Sequence, residues 1–570
     1  METLVELLEE SARRFADRLA LSMRRPDGSL EAWTYRELDR RSRLAAWRLR
    51  ALGLRPGDRV LTWSPSCPEL AAAYFGAMRA RLVLVPLDLR MSPDAIRGVV
   101  AAAEPARLLI GTGRDAPDPR DADLAGFPTT TVDDLSADPG AARPAGPGSA
   151  ALPADWLEQV DAWERPRPAD IFELIFTSGT TGTPKGVMLG HDNVTASVHS
   201  FFSLVPPMEH RLVSLLPLSH LLEQSVGLFY SLAVGADIHY VRSRNPRVIF
   251  DALRERRVTS MVLVPQFIDL FWSGIQREVE ARGQAGLFGR LRSVARRLPV
   301  PIRRILFRSV HAQLGGSFRL FLSAGAYLPP GVQQAWEDIG VTILQGYGAT
   351  ETGTGCCTTL RDHGMGTVGR PAVGAELRFA EDGEILFRGP TLFHGYWNEP
   401  VKTAEAFTPD GWYRTGDIGH LDDGGRLVLS GRKKDMIVLP NGFNVYPEDI
   451  ENVLRAEGLR ESVVLETRPG RIEAICLWPG TNGPPPAGDT PGQDARGALA
   501  ATAAEVTSEL NRIVKAANAR LGANQRIAGW RLWPDADFPR THTLKVKRDV
   551  VRAWAAVDVP IGTSEAEPGA

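Results

Sequence analysis

Cysteine is scarce in this chain. Only Cys67, Cys356, Cys357 and Cys476 occur among 570 residues. None stands in a CxxC or Cys/His spacing, so there is neither a disulfide framework nor a structural-metal signature. An excess of one charge is also missing. The 66 basic and 68 acidic residues leave a net charge of -2, the wrong balance for a general polyanion binder, although local basic patches stay open. Long apolar runs are absent too. Leu212–Ala236 comes closest, with Glu223 its only formal charge, but Pro217, His220, Glu223 and Gln224 sit in its middle, where a bilayer-spanning helix tolerates them least. The N-terminal METLVELLEESARRF mixes acids with its apolar residues and reads as an amphipathic helix, not a signal peptide. A reducing cytoplasm is the expected compartment. Neither an internal repeat nor a heptad run is present.

What is there is an ordinary globular composition, 44% apolar and 24% charged, in a chain several times longer than one core usually grows, so two or more domains are expected. Between 56 and 110, the strand-like runs Arg59–Trp63 and Leu82–Leu87 alternate with the helical stretches Pro68–Ala80 and Ser92–Ala103, and similar units follow in 210–345. That alternation predicts an α/β architecture with a largely parallel sheet. The Pro/Gly/Ala-rich stretch 134–154 reads as a surface loop, 479–499 as a disordered insertion, and the tail after Pro560 as unstructured. A boundary is expected near 432–436, before the strand MIVL and the helix YPEDIENVLR. Pro447 is placed to start that helix, and Glu448, Asp449 and Glu451 to complement its dipole.

The sharpest local feature is Thr177-Ser178-Gly179-Thr180-Thr181-Gly182-Thr183-Pro184-Lys185-Gly186, directly after the apolar run Ile171–Phe176. Glycines let backbone approach an anion, hydroxyls donate to phosphate oxygens and a lysine supplies the countercharge, so the loop suits polyphosphate. It is not a P-loop: Pro184 stands where G-x-x-x-x-G-K-[ST] requires its second glycine, and Gly186 replaces the hydroxyl residue. Gln345–Glu351 (QGYGATE) joins turn glycines to a flat face for adenine in Tyr347, a hydroxyl in Thr350 and a hard oxygen ligand for Mg2+ in Glu351. Asp417 in YRTGD can accept two ribose hydroxyls, and Arg432 in SGRKKD can reinforce the ribose and phosphate side. Taken singly, each reads more readily as a linker, a turn or a surface charge.

Together, in this order and followed by Thr541–Arg548 (THTLKVKR), these motifs resemble those of the superfamily of acyl-CoA synthetases, adenylation domains and firefly luciferase, over nearly the whole chain. The resemblance implies a large AMP-binding domain over 1–431, with αβα-layered sheets and a β-barrel-like subdomain. It further implies a hinge at 432–435, a small mobile α+β domain over 436–558 and a disordered tail over 559–570. ATP, Mg2+ and CoA are the implied cosubstrates and cofactor. Lys545, six residues after Pro539, takes the place of the adenylation lysine, with Lys185, Thr350 and His220 as the other implied catalytic residues. Lys547 is then a decoy, Leu544 replaces the usual glycine and Arg540 the usual lysine. The implied nucleotide and CoA contacts are Thr177, Ser178, Gly179, Thr180, Thr181, Gly182, Lys185, Gly325, Gly346, Tyr347, Gly348, Thr350, Asp417, Arg432, Lys434 and Gly442, and Glu351 is the implied metal ligand. Rotation about Lys434 would bring Met436–Asn444 to the acyl-adenylate, with Gly442 leaving room for a pantetheine arm.

Pro217–Gln224 (PLSHLLEQ) resembles the long-chain fatty acyl-CoA synthetase pattern, with His220 at the mouth of the acyl pocket and Glu223 behind it, although that class often carries arginine where Gln224 stands. THTLKVKR also resembles the long-chain version. A medium- or long-chain fatty acid is therefore the expected substrate. The competing readings are a fatty acyl-AMP ligase serving an acyl carrier protein, an aryl or amino-acid adenylating enzyme, and a non-catalytic nucleotide-binding scaffold. Between Leu287 and Val310 stand seven arginines and no acid, interleaved with leucine, isoleucine and phenylalanine. Such a segment fits either an anionic lipid surface or a solvated helix paired with acids elsewhere.

Overall fold

Thr3 caps the first helix, Leu4–Arg14, by accepting the Glu6 N–H, and the expected amphipathic pattern appears as buried Leu4, Val5, Leu7 and Leu8. The strand–helix alternation after it builds two mostly parallel sheets. The computed structural model describes residues 1–113, 115–138, 152–177, 184–243, 245–441, 443–478, 493–541 and 545–557. They form two compact units. The first holds Met1–Arg378, Leu386–Arg414 and Leu421–Val428; the second holds Phe379–Ile385, Thr415–His420 and the chain from Leu429 on. Strands Glu376–Phe379, Glu384–Arg388, Tyr413–Leu421 and Leu427–Arg432 make a four-stranded sheet.

In the first unit, a six-stranded sheet runs in the order Thr129–Thr131, Arg107–Ile110, Arg59–Trp63, Val83–Pro86, Ile171–Thr177, Lys185–Gly190. The first five strands are parallel and the last is antiparallel. Val83–Pro86 is buried throughout, as parallel strands covered on both faces must be. A nine-stranded sheet has a parallel centre comprising Thr342–Tyr347, Leu320–Ser323, Ser260–Leu263, Arg211–Ser214, Asp237–Tyr240 and Leu19–Arg24. Every residue of helix Pro68–Arg79 is buried, and its Tyr74 and Phe75 join one core with Leu84 of the smaller sheet and Ile238 of the larger. The helix is thus a shared filling between the sheets, and each such aromatic contributes roughly 2 kcal/mol by its burial.

The second unit is α+β. Strands Glu461–Arg468 and Arg471–Leu477 pair antiparallel, and Gly529–Leu532 adds in parallel. Helices Pro447–Ala456 and Gln493–Arg520 contribute Ile450, Leu454, Leu510 and Val514 to the core on one side of this sheet. Val551 of helix Arg548–Ala555 joins Val463, Ile475 and Trp533 in another. Helix Gln493–Arg520 begins inside the stretch 479–499 expected to be disordered, because the alanine-rich QDARGALAATAA is a strong helix former. Pro447 does start its helix, but the acids behind it do not simply serve the dipole. Glu451 is buried and accepts from Arg548 (2.6 Å) and the Val464 N–H (2.7 Å), while burial pushes Glu448 up to about 7 and Asp449 up to about 6.

The apolar stretch Leu212–Ala236 is no membrane span. It supplies a strand, a turn and the buried π-helix Glu223–Tyr230, and no helix among the described residues is long and apolar enough to cross a membrane.

Candidate active site

In a parallel sheet the loops leaving the carboxyl ends of the strands are where ligands bind. Arg211–Ser214, Leu320–Ser323 and Thr342–Tyr347 run in one direction, so the segments carrying His220, Gly325 and Gly348–Glu351 leave one edge of the nine-stranded sheet. Val83–Pro86 and Ile171–Thr177 likewise send Asp88 and the threonine-rich loop out of one edge of the smaller sheet. Side chains join the two edges: His220 Nε2 lies 3.0 Å from Asp88 Oδ2.

Thr177 pairs with Lys185 in an antiparallel register, so the two residues that flank the expected phosphate segment are held side by side. Ser178, Gly179, Thr180, Thr181, Gly182 and Thr183 lie outside the described residues. Lys185 Nζ stands 4.9 Å from the ring centroid of Tyr396. The Tyr396 hydroxyl donates to Glu351 Oε1 (3.2 Å) and is hydrogen-bonded to Tyr413. Burial, followed by the charge of Glu351, pushes the Tyr396 phenol well up, so it stays a proton donor at neutral pH. One ring therefore spaces the expected phosphate lysine from the expected metal ligand.

The turn that presents Glu351 has a steric origin. A Cβ on Gly348 would lie 2.0 Å from the Gly353 carbonyl oxygen, so only glycine permits that approach. The Ala349 N–H donates to Thr352 Oγ1 (2.7 Å), and the Glu351 carbonyl accepts the Phe393 N–H (2.9 Å). Thr350, Glu351, Gly346 and Tyr347 are half-buried, and the Tyr347 ring lies 6.0 Å from that of Phe387. Among the described residues no group of three or more His, Cys, Asp or Glu side chains could hold a metal. A single half-buried carboxylate nevertheless fits Mg2+, which keeps several waters and is held by one or two carboxylates together with substrate phosphates.

Asp88 is 3% exposed and accepts from Arg90 Nε (3.1 Å) as well as facing His220. Burial alone would raise its carboxyl, but the hydrogen bonds and charges of His220 and Arg90 outweigh that and hold it well below the usual carboxylate range. Behind His220, Gln224 Nε2 donates to Glu173 Oε1 and to the Leu218 carbonyl, both at 2.7 Å. The Ser214 hydroxyl donates to Glu223 (2.6 Å). Burial pushes both Glu173 and Glu223 up to about 8, so these acids are neutral at pH 7. Glu223 is thus a buried group of the π-helix that burial holds in its protonated form at neutral pH.

In the second unit Arg432 Nε lies 3.2 Å from Asp417 Oδ1. The Asp417 N–H donates to Thr415 Oγ1 (3.0 Å), whose hydroxyl donates to the Ile385 carbonyl (2.8 Å), so the strand itself orients the expected ribose carboxylate. Lys434 is exposed in a single 3-10 turn, Lys433–Asp435, beside Lys433, which bridges Asp382 (2.6 Å) and Glu384 (3.0 Å). Gly442 lies outside the described residues. Lys545 is exposed on a hairpin closed by Thr541 N–H to Lys545 O (2.7 Å) and Lys547 N–H to Pro539 O (2.7 Å). Arg540 anchors that hairpin to Glu461 (2.6 Å), which gives the arginine at this position a structural task.

Asp88, Glu173 and Tyr396 had no sequence signal. They lie 132, 51 and 45 residues from His220, Gln224 and Glu351 respectively, in segments without chemical pattern.

Lys185, Tyr347 and Glu351, all on or beside strand ends of a doubly sheeted α/β unit, are the chemistry expected of a nucleotide-using enzyme. The AMP-binding enzyme family matches residues 8–397. The chain is 31% identical to long-chain-fatty-acid–CoA ligase FadD15 of Mycobacterium bovis, over 94% of this chain and 92% of that one. It is 30% identical to a feruloyl-CoA synthase of Amycolatopsis sp, over 74% of this chain and 78% of that one. Among solved structures, o-succinylbenzoate CoA synthetase of Bacillus subtilis, in complex with its acyl-adenylate, shares the fold at a TM-score of 0.71 and 21% identity, over 98% and 99% of the two chains. The chain belongs to the AMP-binding enzyme family and is an AMP-forming acyl-CoA synthetase that uses ATP and CoA.

Proposed function

We propose that the acid is a medium- or long-chain fatty acid, converted first to acyl-AMP with release of pyrophosphate and then to its CoA thioester. Likeness to FadD15 along almost the full length of both chains supports the fatty acid over an aryl acid, since the likeness to the feruloyl enzyme leaves a quarter of this chain unmatched. The observation that carries the chemistry is the placement of Lys185 and Glu351 on either side of Tyr396.

In this reading the loop Thr177–Lys185 holds the β- and γ-phosphates, with Gly325, Gly346, Gly348 and Thr350 lining the nucleotide. Tyr347 lies against adenine, and Asp417, steadied by Arg432, holds the ribose. Glu351 holds Mg2+, which when bound neutralises charge on the phosphates. His220, fixed by Asp88, orients the fatty carboxylate as it attacks the α-phosphorus, and Lys545 stabilises the charge that develops as the pyrophosphate bond breaks. Turning about Lys434 then brings Met436–Asn444 to the adenylate, with Gly442 making room for the pantetheine thiol. An acid of this class partitions into bilayers, so we place the enzyme in the cytoplasm with peripheral contact at the inner membrane face.

A pyrophosphate-release screen across fatty acids of increasing length and cinnamic-type acids, with and without CoA, tests this reading. Fatty acids should give the highest kcat/KM and a CoA thioester as product. Preference for aryl acids, or an adenylate that transfers only to a carrier protein, would overturn it.

A further inference from the structure

From Ala281 to Trp336 the chain contains no aspartate or glutamate. The arginines of helices Ala285–Ala295 and Val300–Leu306, together with Arg296, Arg297 and Arg308, divide into two sets. Arg292 and Arg296 turn inward onto the fully buried Asp338, at 3.0 and 2.9 Å. Arg303 donates to the carbonyls of Leu298 and Glu337, and Arg304 to those of Phe318 and Gly340. These four staple the helices to the domain. Arg290, Arg297 and Arg308 are exposed and have no carboxylate partner among the described residues.

The apolar residues divide in the same way. Phe288, Leu291 and Ala295 pack inward, whereas Leu287, Val294, Val300, Ile302, Ile305 and Leu306 are between 37% and 69% exposed. No other stretch of twenty described residues exposes so many large apolar side chains. Leu287 and Leu306 line a common groove of about 110 Å3, which joins the two helices into one face. A solvated helix would show polar residues outward and acids near its arginines. This face shows apolar residues and, apart from Glu278 at the groove's rim, which pairs with Arg282, only positive charge, the combination that seats an interfacial helix among anionic headgroups.

We propose that Leu287–Arg308 is a docking surface for an anionic phospholipid bilayer, with Leu287, Val294, Ile302 and Ile305 at the headgroup–acyl boundary and Arg290, Arg297 and Arg308 on lipid phosphates. It deepens the peripheral contact proposed above by naming the surface, and it rests on surface chemistry, independently of which acid is activated. The full-length protein, without ATP or acid, should co-sediment at low salt with phosphatidylglycerol–phosphatidylcholine vesicles and weakly with phosphatidylcholine alone. The triple variant R290E/R297E/R308E should lower the partition coefficient by roughly two orders of magnitude, and L287S/I305S should lower it with the arginines intact. Both variants alter exposed positions outside the catalytic machinery, so melting temperature and pyrophosphate release with a water-soluble shorter acid should match the unaltered enzyme. Three results would each overturn the proposal: no co-sedimentation of the unaltered protein with the anionic vesicles, equal binding by either variant, or self-association through this face in place of lipid binding. Failure of the acid screen with intact vesicle binding would instead remove only the substrate reading.

Discussion

At the scale of single residues, the chemistry depends on partners that fix a side chain as much as on the side chain itself. His220 was legible as a candidate because PLSHLLEQ has a pattern, but a histidine does directed work only when its ring is held. Asp88 holds it, buried, at 3.0 Å, and is itself kept ionised by His220 and Arg90. No spacing rule connects positions 88 and 220, which come together only because two sheets send their strand ends toward one place. Asp88→Asn keeps the shape but presents one acceptor oxygen where there were two and removes the charge. Adenylation should slow roughly tenfold or more, with the loss in kcat and in KM for the acid while KM for ATP stays constant. A matching rise in KM for ATP, or a collapse of the melting temperature, would mean that Asp88 supports the fold and does not position His220.

At the scale of the element, the π-helix Glu223–Tyr230 shows why the apolar run could not be read correctly from composition. Its hydrophobicity came from complete burial and its one charge is no charge at neutral pH. A Cβ on Gly227 would meet Glu223 Oε1 at 2.5 Å, so the glycine exists to let the glutamate fold back over its own turn. Gly227→Ala should therefore disturb the turn that carries His220 and lower both stability and adenylation. Glu223 also makes stability pH-dependent. Its folded value of about 8 lies above the ordinary range, so between about pH 4.5 and 8 the folded state holds a proton that the unfolded chain releases, and stability falls as pH rises through this window. Glu223→Gln removes this loss while retaining an acceptor for Ser214. The unfolding free energy of the variant relative to the unaltered enzyme, from urea titrations, should rise steadily from about pH 5 to pH 8, by on the order of 4 kcal/mol at most. A difference independent of pH would show that Glu223 is ionised in the fold.

At the scale of the whole molecule, the order of motifs was legible while their geometry was not. The parallel sheets followed from strand–helix alternation, and the nucleotide chemistry followed from the threonine–glycine loop with QGYGATE, because backbone access and ligand type are written in residue identity. The closeness of Lys185 to Glu351 was not, since the ring between them comes from Tyr396, in a segment with no chemical signature of its own. The expected site residues also divide between two units: His220, Lys185 and Glu351 belong to the first, Asp417, Arg432, Lys434 and Lys545 to the second. If the expected adenylation lysine lies on a separate unit, it can serve one half-reaction and be dispensed with in the other. Lys545 is exposed on a hairpin that Arg540 ties to the small sheet, so replacing it removes a charge without removing a packing contact of the core. Lys545→Ala should depress acid-dependent pyrophosphate release by roughly two to three orders of magnitude, while thioester formation from supplied acyl-AMP and CoA keeps most of its rate. Lys547→Ala should leave both reactions close to normal. If Lys545→Ala slows both halves equally, the lysine serves the structure of the small unit and not the transition state, and the division of labour between the two units fails with it.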